Sequence, residues 1–220
     1  MVQDKDKTYL QHILDEIDKV EVFLSGVDEK TFTVTLEDRA DAMSPISPGL
    51  FVVHQDGMPL FTKGEVDRGE GLEKIAEDAD PGPLAEAHSY TIFNTPVGDT
   101  EPGPATPGKK FEFTFTAKPG DKLSFATMFG QSNDAFYSFG DQGLELFNGN
   151  EPVTGDVTDK VSLWDAGTEV NQEPTKGEDQ APRQSGPNVG ASESEVILTM
   201  AERGDGFTYG DSIRVTISAQ

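Results

Sequence analysis

The stretch from Phe111 to Phe129 constrains this chain more than any other. Phe111, Phe113 and Phe115 alternate with Glu112, Thr114 and Thr116. Pro119-Gly120-Asp121 interrupts, and Leu123, Phe125, Thr127 and Phe129 resume the same period. A period of two belongs to an extended strand, whose successive side chains point to opposite faces. Three rings on one face need an apolar layer opposite them. The Pro-Gly-Asp break predicts a hairpin with an aromatic core face.

The same period recurs. Phe32, Val34 and Leu36 alternate with Thr33, Thr35 and Glu37, and Ile213, Val215 and Ile217 alternate near the end. Leu50 to Val53 is a continuous apolar run, preceded by Ser44-Pro45-Ile46-Ser47-Pro48-Gly49, which reads as a loop. Further strands are expected over 157–164, 194–200 and 212–218, with a long polar loop over 165–192. Short helical turns are expected around Leu72, Ile75 and Ala76 and from Leu84 to Ala87, separated by Pro81-Gly82-Pro83. Residues 95–108 form a Pro/Gly-rich connection. Seven or eight strands punctuated by 23 Gly and 14 Pro predict an all-β fold, an antiparallel two-sheet sandwich.

The first 30 residues follow another rule. Leu10, Ile13, Leu14, Ile17, Val20 and Leu24 are spaced by three and four, one stripe down an amphipathic helix from about Thr8 to Ser25. Asp6 or Thr8 can cap its start, and Gly26 sits at its stop. The chain therefore divides into a helix over 1–30 and a sandwich over 31–220. The stripe needs a cover: the sandwich, a second copy in a helix-mediated homo-oligomer, or a partner.

Charge narrows the partners. Forty acidic against 17 basic residues leave a net charge of −23. Such self-repulsion is relieved by salt, which points to adaptation to high salt. Nucleic acid is disfavoured, because phosphate binding relies on Lys and Arg and no basic cluster exceeds Lys109-Lys110. Anionic lipid is disfavoured for the same reason unless a divalent cation reverses the local sign. There is no cysteine for a disulfide or thiolate site, and no apolar stretch long enough for a membrane span. Met1-Val2-Gln3-Asp4-Lys5-Asp6 does not open a signal peptide, so the chain reads as cytoplasmic or already processed. His12, His54 and His88 lie in different segments and form no triad or zinc pattern.

Two acidic loops carry the best candidate chemistry. One is Gln131-Ser132-Asn133-Asp134; the other runs from Trp164-Asp165-Ala166-Gly167-Thr168-Glu169 to Pro174. Calcium takes six to eight oxygen ligands from carboxylates, amides and carbonyls. Asp165 and Glu169 flank a glycine that can curl the loop, and Asp134 can add a third carboxylate. The pattern matches no EF-hand. In so acidic a chain, neighbouring carboxylates can equally be solvated side chains.

These segments bring a family into view. Phe111 to Ala117, Pro119-Gly120-Asp121, Leu123 to Met128, Gln131-Ser132-Asn133-Asp134, Trp164 to Glu169 and Asn171-Gln172-Glu173-Pro174 together resemble the spondin N-terminal domain, in its prokaryotic branch. Gln180-Ala181-Pro182-Arg183-Gln184, Ser47-Pro48-Gly49, Val52-Val53-His54 and Pro59-Leu60-Phe61 extend the likeness over about 31–220. The resemblance implies a C2-like sandwich outside the cell or on its surface. It also implies adhesion or matrix binding, with calcium held by Asp134, Asp165 and Glu169. Animal members carry cysteines and, at the third ligand, Asp where this chain has Glu169. Separately, Asp6 to Ile17 looks like the first helix of HepT-type toxins. Their Arg–His-x-Tyr signature is not met, since Arg68 is too far from His88-Ser89-Tyr90.

The expectation is a non-enzymatic, calcium-binding sandwich that contacts a cell-surface or matrix protein or glycan. The alternatives are a carboxylate-based glycan hydrolase and a helix-mediated assembly protein.

Overall fold

The computed structural model describes residues 7, 9–17, 19 and 29–220. Residues 9–17 form helix α1. The expected caps at Asp6 and Thr8, the stop at Gly26, and stripe residues Val20 and Leu24 lie outside the described residues. Tyr9, Leu10, Ile13, Leu14 and Ile17 are all exposed, so the described part of the stripe is not packed on the sandwich.

Thirteen strands follow, with three short helices. One sheet contains β1 (Lys30–Asp38), β4 (Lys110–Ala117), β10 (Gly155–Asp156) and β13 (Ile213–Ala219), in the order β10-β13-β1-β4. The second contains β2 (Ile46–His54), β3 (Thr91–Phe93), β5 (Lys122–Phe129), β6 (Ala135–Phe139), β7 (Leu144–Glu145), β11 (Val161–Asp165) and β12 (Leu198–Thr199). Its order is β12-β11-β6-β5-β2-β3, with β7 also on β5. β8 (Phe147–Asn148) and β9 (Glu151–Pro152) form a small ribbon. Pairing in both sheets is antiparallel. β1, β2, β4, β5, β6, β11 and β13 are the strands of five residues or more, which is the expected sandwich.

The alternating rows meet between the sheets. Phe32, Val34, Leu36, Phe111 and Phe113 face Phe51, Phe125, Phe129 and Phe139. Phe51 stacks on Phe113 with ring centroids 4.1 Å apart, and Phe125 meets Phe139 edge-on at 4.9 Å. Such offset and edge contacts add to the area each ring buries. The inward row of β1 ends in Asp38, which is fully buried.

The expected hairpin does not form. β4 and β5 belong to opposite sheets: β4 pairs with β1, placing Phe113 opposite Val34, and β5 pairs with β2 and β6. The turn at Lys118–Asp121, closed by Asp121 N–H donating to the Lys118 carbonyl, carries the chain across the sandwich. Alternation shows which side chains face the core. It cannot show whether two such strands lie side by side or face each other. The outer face of β5 explains the choice, because Ala126 is fully buried there and requires a central position in a covered sheet.

That cover is a third layer. α2 (Leu72–Asp78) and α3 (Gly82–His88) place Leu72, Ile75, Ala76, Leu84 and Ala85 against Leu50, Ala126, Phe136 and Trp164. Burial on both faces makes Leu50–Val53 and β6 read as continuous apolar runs; β6 is not among the expected strands. The Pro48-Gly49 segment, expected as loop, lies inside β2 at a register shift between Ile46 and Gly49. Gly49 is required there, since a Cβ would lie 2.2 Å from the Ala126 carbonyl oxygen. No helix among the described residues is long and apolar enough to cross a membrane.

Candidate metal centre

Sheet register brings the two acidic loops together. β6 and β11 are neighbours, with Asp165 opposite Ala135, so Asp134 and Asp165 stand at adjoining strand ends. Both are fully buried. Gly167 follows with φ +70°, where a Cβ would sit 2.5 Å from the Glu195 carbonyl oxygen. That turn lets Gly167 N–H donate to Asp165 Oδ1 at 2.8 Å. It also aims the N–H groups of Thr168 and Glu169 at Asp134 Oδ2, at 2.8 and 3.1 Å.

The third carboxylate is Glu193. Backbone pairing of 167–170 with 191–195 returns the far end of the long loop to the site: Glu193 N–H donates to the Thr168 carbonyl and Glu195 N–H to Gly167. Asp134, Asp165 and half-buried Glu193 each present an oxygen within 4.8 Å of the others. Two ligands of one calcium ion at the usual bond lengths lie no more than about 5 Å apart, so the trio fits a single ion.

The local hydrogen bonds leave oxygens to spare. Asp165 Oδ1 also accepts from Arg203 Nη2 at 2.6 Å, and its Oδ2 accepts from Asn171 Nδ2. Arg203 closes α4 (Met200–Arg203), whose start carries a capping box between Thr199 and Glu202. Asp134 Oδ1 and Asn171 Oδ1 are buried without any partner. A buried, unpaired carboxylate oxygen is costly unless a proton or a cation reaches it. Burial, then the charge of Asp165, pushes the Asp134 carboxyl well above the usual range, against the pull of the two N–H donors. Burial and Asp165 also raise Glu193, with Arg203 opposing. The residues fit a hard cation with oxygen ligands. Asp134, Asp165 and Glu193, with Asn171 beside them, would hold it, and it would neutralise charge that Arg203 meets only in part.

Glu169 does not join the trio. Its backbone N–H serves Asp134, but its nearly buried carboxylate lies against the Gly190 backbone, with Oε1 left without a partner. Burial, then Glu77, raises its pKa to about 7. Glu193 gave no signal in the sequence. Ser192-Glu193-Ser194-Glu195 resembles any exposed acidic run, and only pairing with 167–170 brings it to Asp165.

The amides of the resembling segments lace the 165–192 loop to the 131–134 loop. Asn133 Oδ1 accepts from Gln172 N–H at 3.0 Å, and fully buried Gln180 donates to the Glu173 carbonyl at 3.0 Å. Arg183 donates to the Gly177 carbonyl at 2.7 Å and to Gln131 Oε1 at 2.8 Å, and it also bonds Gln180. Trp164 is core, its Nε1 donating to the Ser138 carbonyl. His54 bonds Ser124 Oγ at 2.9 Å, a structural histidine.

Two clefts flank this region. One of about 380 Å³ opens over Gly167, Thr168 and Glu193, with Asp67, Glu73 and Glu195 on its walls, so of the three carboxylates Glu193 faces an acidic cleft while Asp134 and Asp165 stay buried behind it. A larger groove of about 690 Å³, with Tyr137, Met200, Phe207, Tyr209 and Ser212 among its lining residues, contains none of the three carboxylates. Neither a scan against protein-family models nor a search of the curated proteins finds a match for this chain.

Proposed function

We propose that this protein is a non-enzymatic binding module whose 165–192 loop is pinned by a calcium ion held by Asp134, Asp165 and Glu193. The supporting observation is the convergence of these carboxylates, with Asp134 Oδ1 buried and unpaired. An all-oxygen set of carboxylates and an amide suits a hard cation, and a loop-built site suits calcium better than strictly octahedral magnesium. The resemblance of the sequence to spondin domains supports a surface that works outside the cell, against a cell-surface or matrix protein or glycan. The acidic surface suits high salt, where screening relieves its repulsion. A glycan hydrolase would need its raised carboxyl to reach a glycosidic oxygen; Asp134 is fully buried, which favours binding over hydrolysis.

The test is thermal unfolding of the full chain in chelator and in calcium, beside Asp165→Asn. At free calcium about a hundredfold above Kd, binding to the native state adds about 2.7 kcal/mol, or roughly 5–10 °C in Tm for a chain of this size. The rise shrinks in Asp165→Asn. Equal rises in both proteins, or none in the unaltered chain, sink the proposal.

A second reading concerns assembly. Leu10, Ile13, Leu14 and Ile17 form an exposed apolar face on α1, which favours a helix-mediated homo-oligomer alongside the binding surface.

A further inference from the structure

β12 is too short to cover the strand it pairs with. It meets β11 only at Trp164 and Asp165, because the capping box at Thr199 starts α4 and turns the chain away. Among the described residues, Val161, Ser162 and Leu163 therefore have β6 on one side and no strand on the other. The hydrogen-bond phase shows which groups are left over. Ala166 N–H donates to the Asp134 carbonyl at 3.1 Å, and in an antiparallel pair residues bonded to one neighbour alternate with residues that face away from it. Stepping back along the register, Trp164 and Ser162 bond β6, while Asp165, Leu163 and Val161 face the other edge. Asp165 meets Leu198 of β12 there. The Val161 N–H is taken by the Thr158 carbonyl. The Val161 carbonyl and both backbone groups of Leu163 have no partner among the described residues.

This open edge borders the groove of about 690 Å³, whose lining runs from Thr199 and Met200 to Val161 and Leu163. Its other wall is the 207–212 segment, which is tied down without using β11. Phe207 N–H and the Tyr209 hydroxyl donate to Asp205 at 2.9 and 2.6 Å, and Ser212 N–H donates to the Tyr137 hydroxyl at 3.3 Å. Arg39 N–H donates to the Ser212 carbonyl at 2.8 Å. The wall offers an apolar ring, Phe207, 37% exposed. Its charge is one-sided. Asp159 and Asp211 line the groove, and the only cation beside them, Arg39, is turned to Asp41 at 3.2 Å. Asp159 pairs with Lys160 at 2.8 Å, whereas Asp211 has no ion pair among the described residues. An acidic occupant, including a segment of another copy of this chain of net charge −23, is repelled, and a basic one is drawn in.

We propose, on the reading of this chain as a binding module, that the groove takes an extended basic peptide of a partner protein, which adds to the second sheet as a strand along Val161–Leu163 in line with β12. The peptide main chain donates to the Val161 and Leu163 carbonyls and accepts from the Leu163 N–H, which gives affinity without regard to sequence. Alternate side chains face the apolar surface of Leu163, Met200 and Phe207, and Lys or Arg side chains reach Asp211. A neutral glycan lacks the strand repeat that this edge matches.

The experiment measures binding by calorimetry and hydrogen exchange of the Leu163 amide in the full chain, in chelator and in calcium. The probes are a blocked peptide of alternating Lys and Val, its Glu–Val counterpart, the Lys–Val peptide N-methylated on all its Val or all its Lys residues, and maltohexaose. The Lys–Val peptide binds saturably and slows exchange at Leu163. Only the methylation pattern that faces β11 weakens it, by roughly tenfold or more for the hydrogen bonds lost. Asp211→Asn weakens it severalfold, more at low than at high potassium chloride. No saturable binding, equal effects of the two methylation patterns, or equal binding of the Glu–Val peptide overturns the proposal. Protection of Leu163 by maltohexaose in place of the peptide assigns the groove to a glycan, and protection that rises with protein concentration alone assigns it to a second copy; either overturns it. Loss of peptide binding with the calcium-dependent rise in Tm intact removes the groove alone, and the converse result supports the groove while removing the calcium pin.

Discussion

Asp38 offers a test of the sandwich's electrostatics that is independent of any cation. It closes the inward row Phe32, Val34, Leu36, is fully buried, and neither of its oxygens has a partner. Across the core stands the Tyr137 hydroxyl, itself raised by burial to about 12, with the unpaired Ser212 Oγ nearby. Arg39, the adjacent cation, pairs outward with Asp41. Burial lifts Asp38 from 3.8 to about 7. The folded chain thus holds this proton more tightly than the unfolded chain. The stabilising contribution is complete below the unfolded value, falls as pH rises, and is gone above about 7. The full span is on the order of 4 kcal/mol, and the part between about pH 5 and pH 8.5 is about 3 kcal/mol. Asp38→Asn has no proton to lose. Urea unfolding at those two pH values, in one salt concentration, should show the unaltered chain losing about 3 kcal/mol more than Asp38→Asn. The other raised carboxylates titrate in both proteins and cancel in the difference. An identical pH dependence in the two proteins would refute the reasoning.

Two further outcomes are expected. Arg203→Met leaves Asp165 a buried anion without its partner, so in chelator it should cost about 3–5 kcal/mol by urea unfolding. The deficit should narrow in calcium, and an equal deficit in both conditions would mean that no cation reaches Asp165. Deleting residues 1–30 should leave calcium binding intact while lowering the mass of any oligomer seen by sedimentation; an unchanged mass would assign assembly to the sandwich.

The parts of the site legible in the sequence were those written within a few residues. Asp134 and Asp165 stood out because each ends an apolar run in a loop with a turn signal. Arg203 and Glu193 carried no such mark. Arg203 sits on the single turn of α4, and Glu193 lies in a polar stretch where its charge is one among forty acidic residues. Glu169 was identified as a residue but not by direction, because a side chain's heading depends on neighbours such as Gly190, remote in sequence.

The same division holds for the fold. Period-two alternation in β1, β4 and β13 determined an all-β chain with one inward face per strand, because side-chain direction alternates along any extended backbone whatever its neighbours are. The spacing of Leu72, Ile75 and Ala76 likewise determined a short helix. Tertiary structure alone decided that β4 and β5 face each other across the core instead of pairing. Hydrogen-bond partnership leaves no trace in which residues are apolar. It also decided that α2 and α3 cover the second sheet, which turned Leu50–Val53 and Ala135–Phe139 into strands buried on both faces. Carboxylates that are solvated and unremarkable in the extended chain became, by that packing, buried groups with oxygens left unpaired.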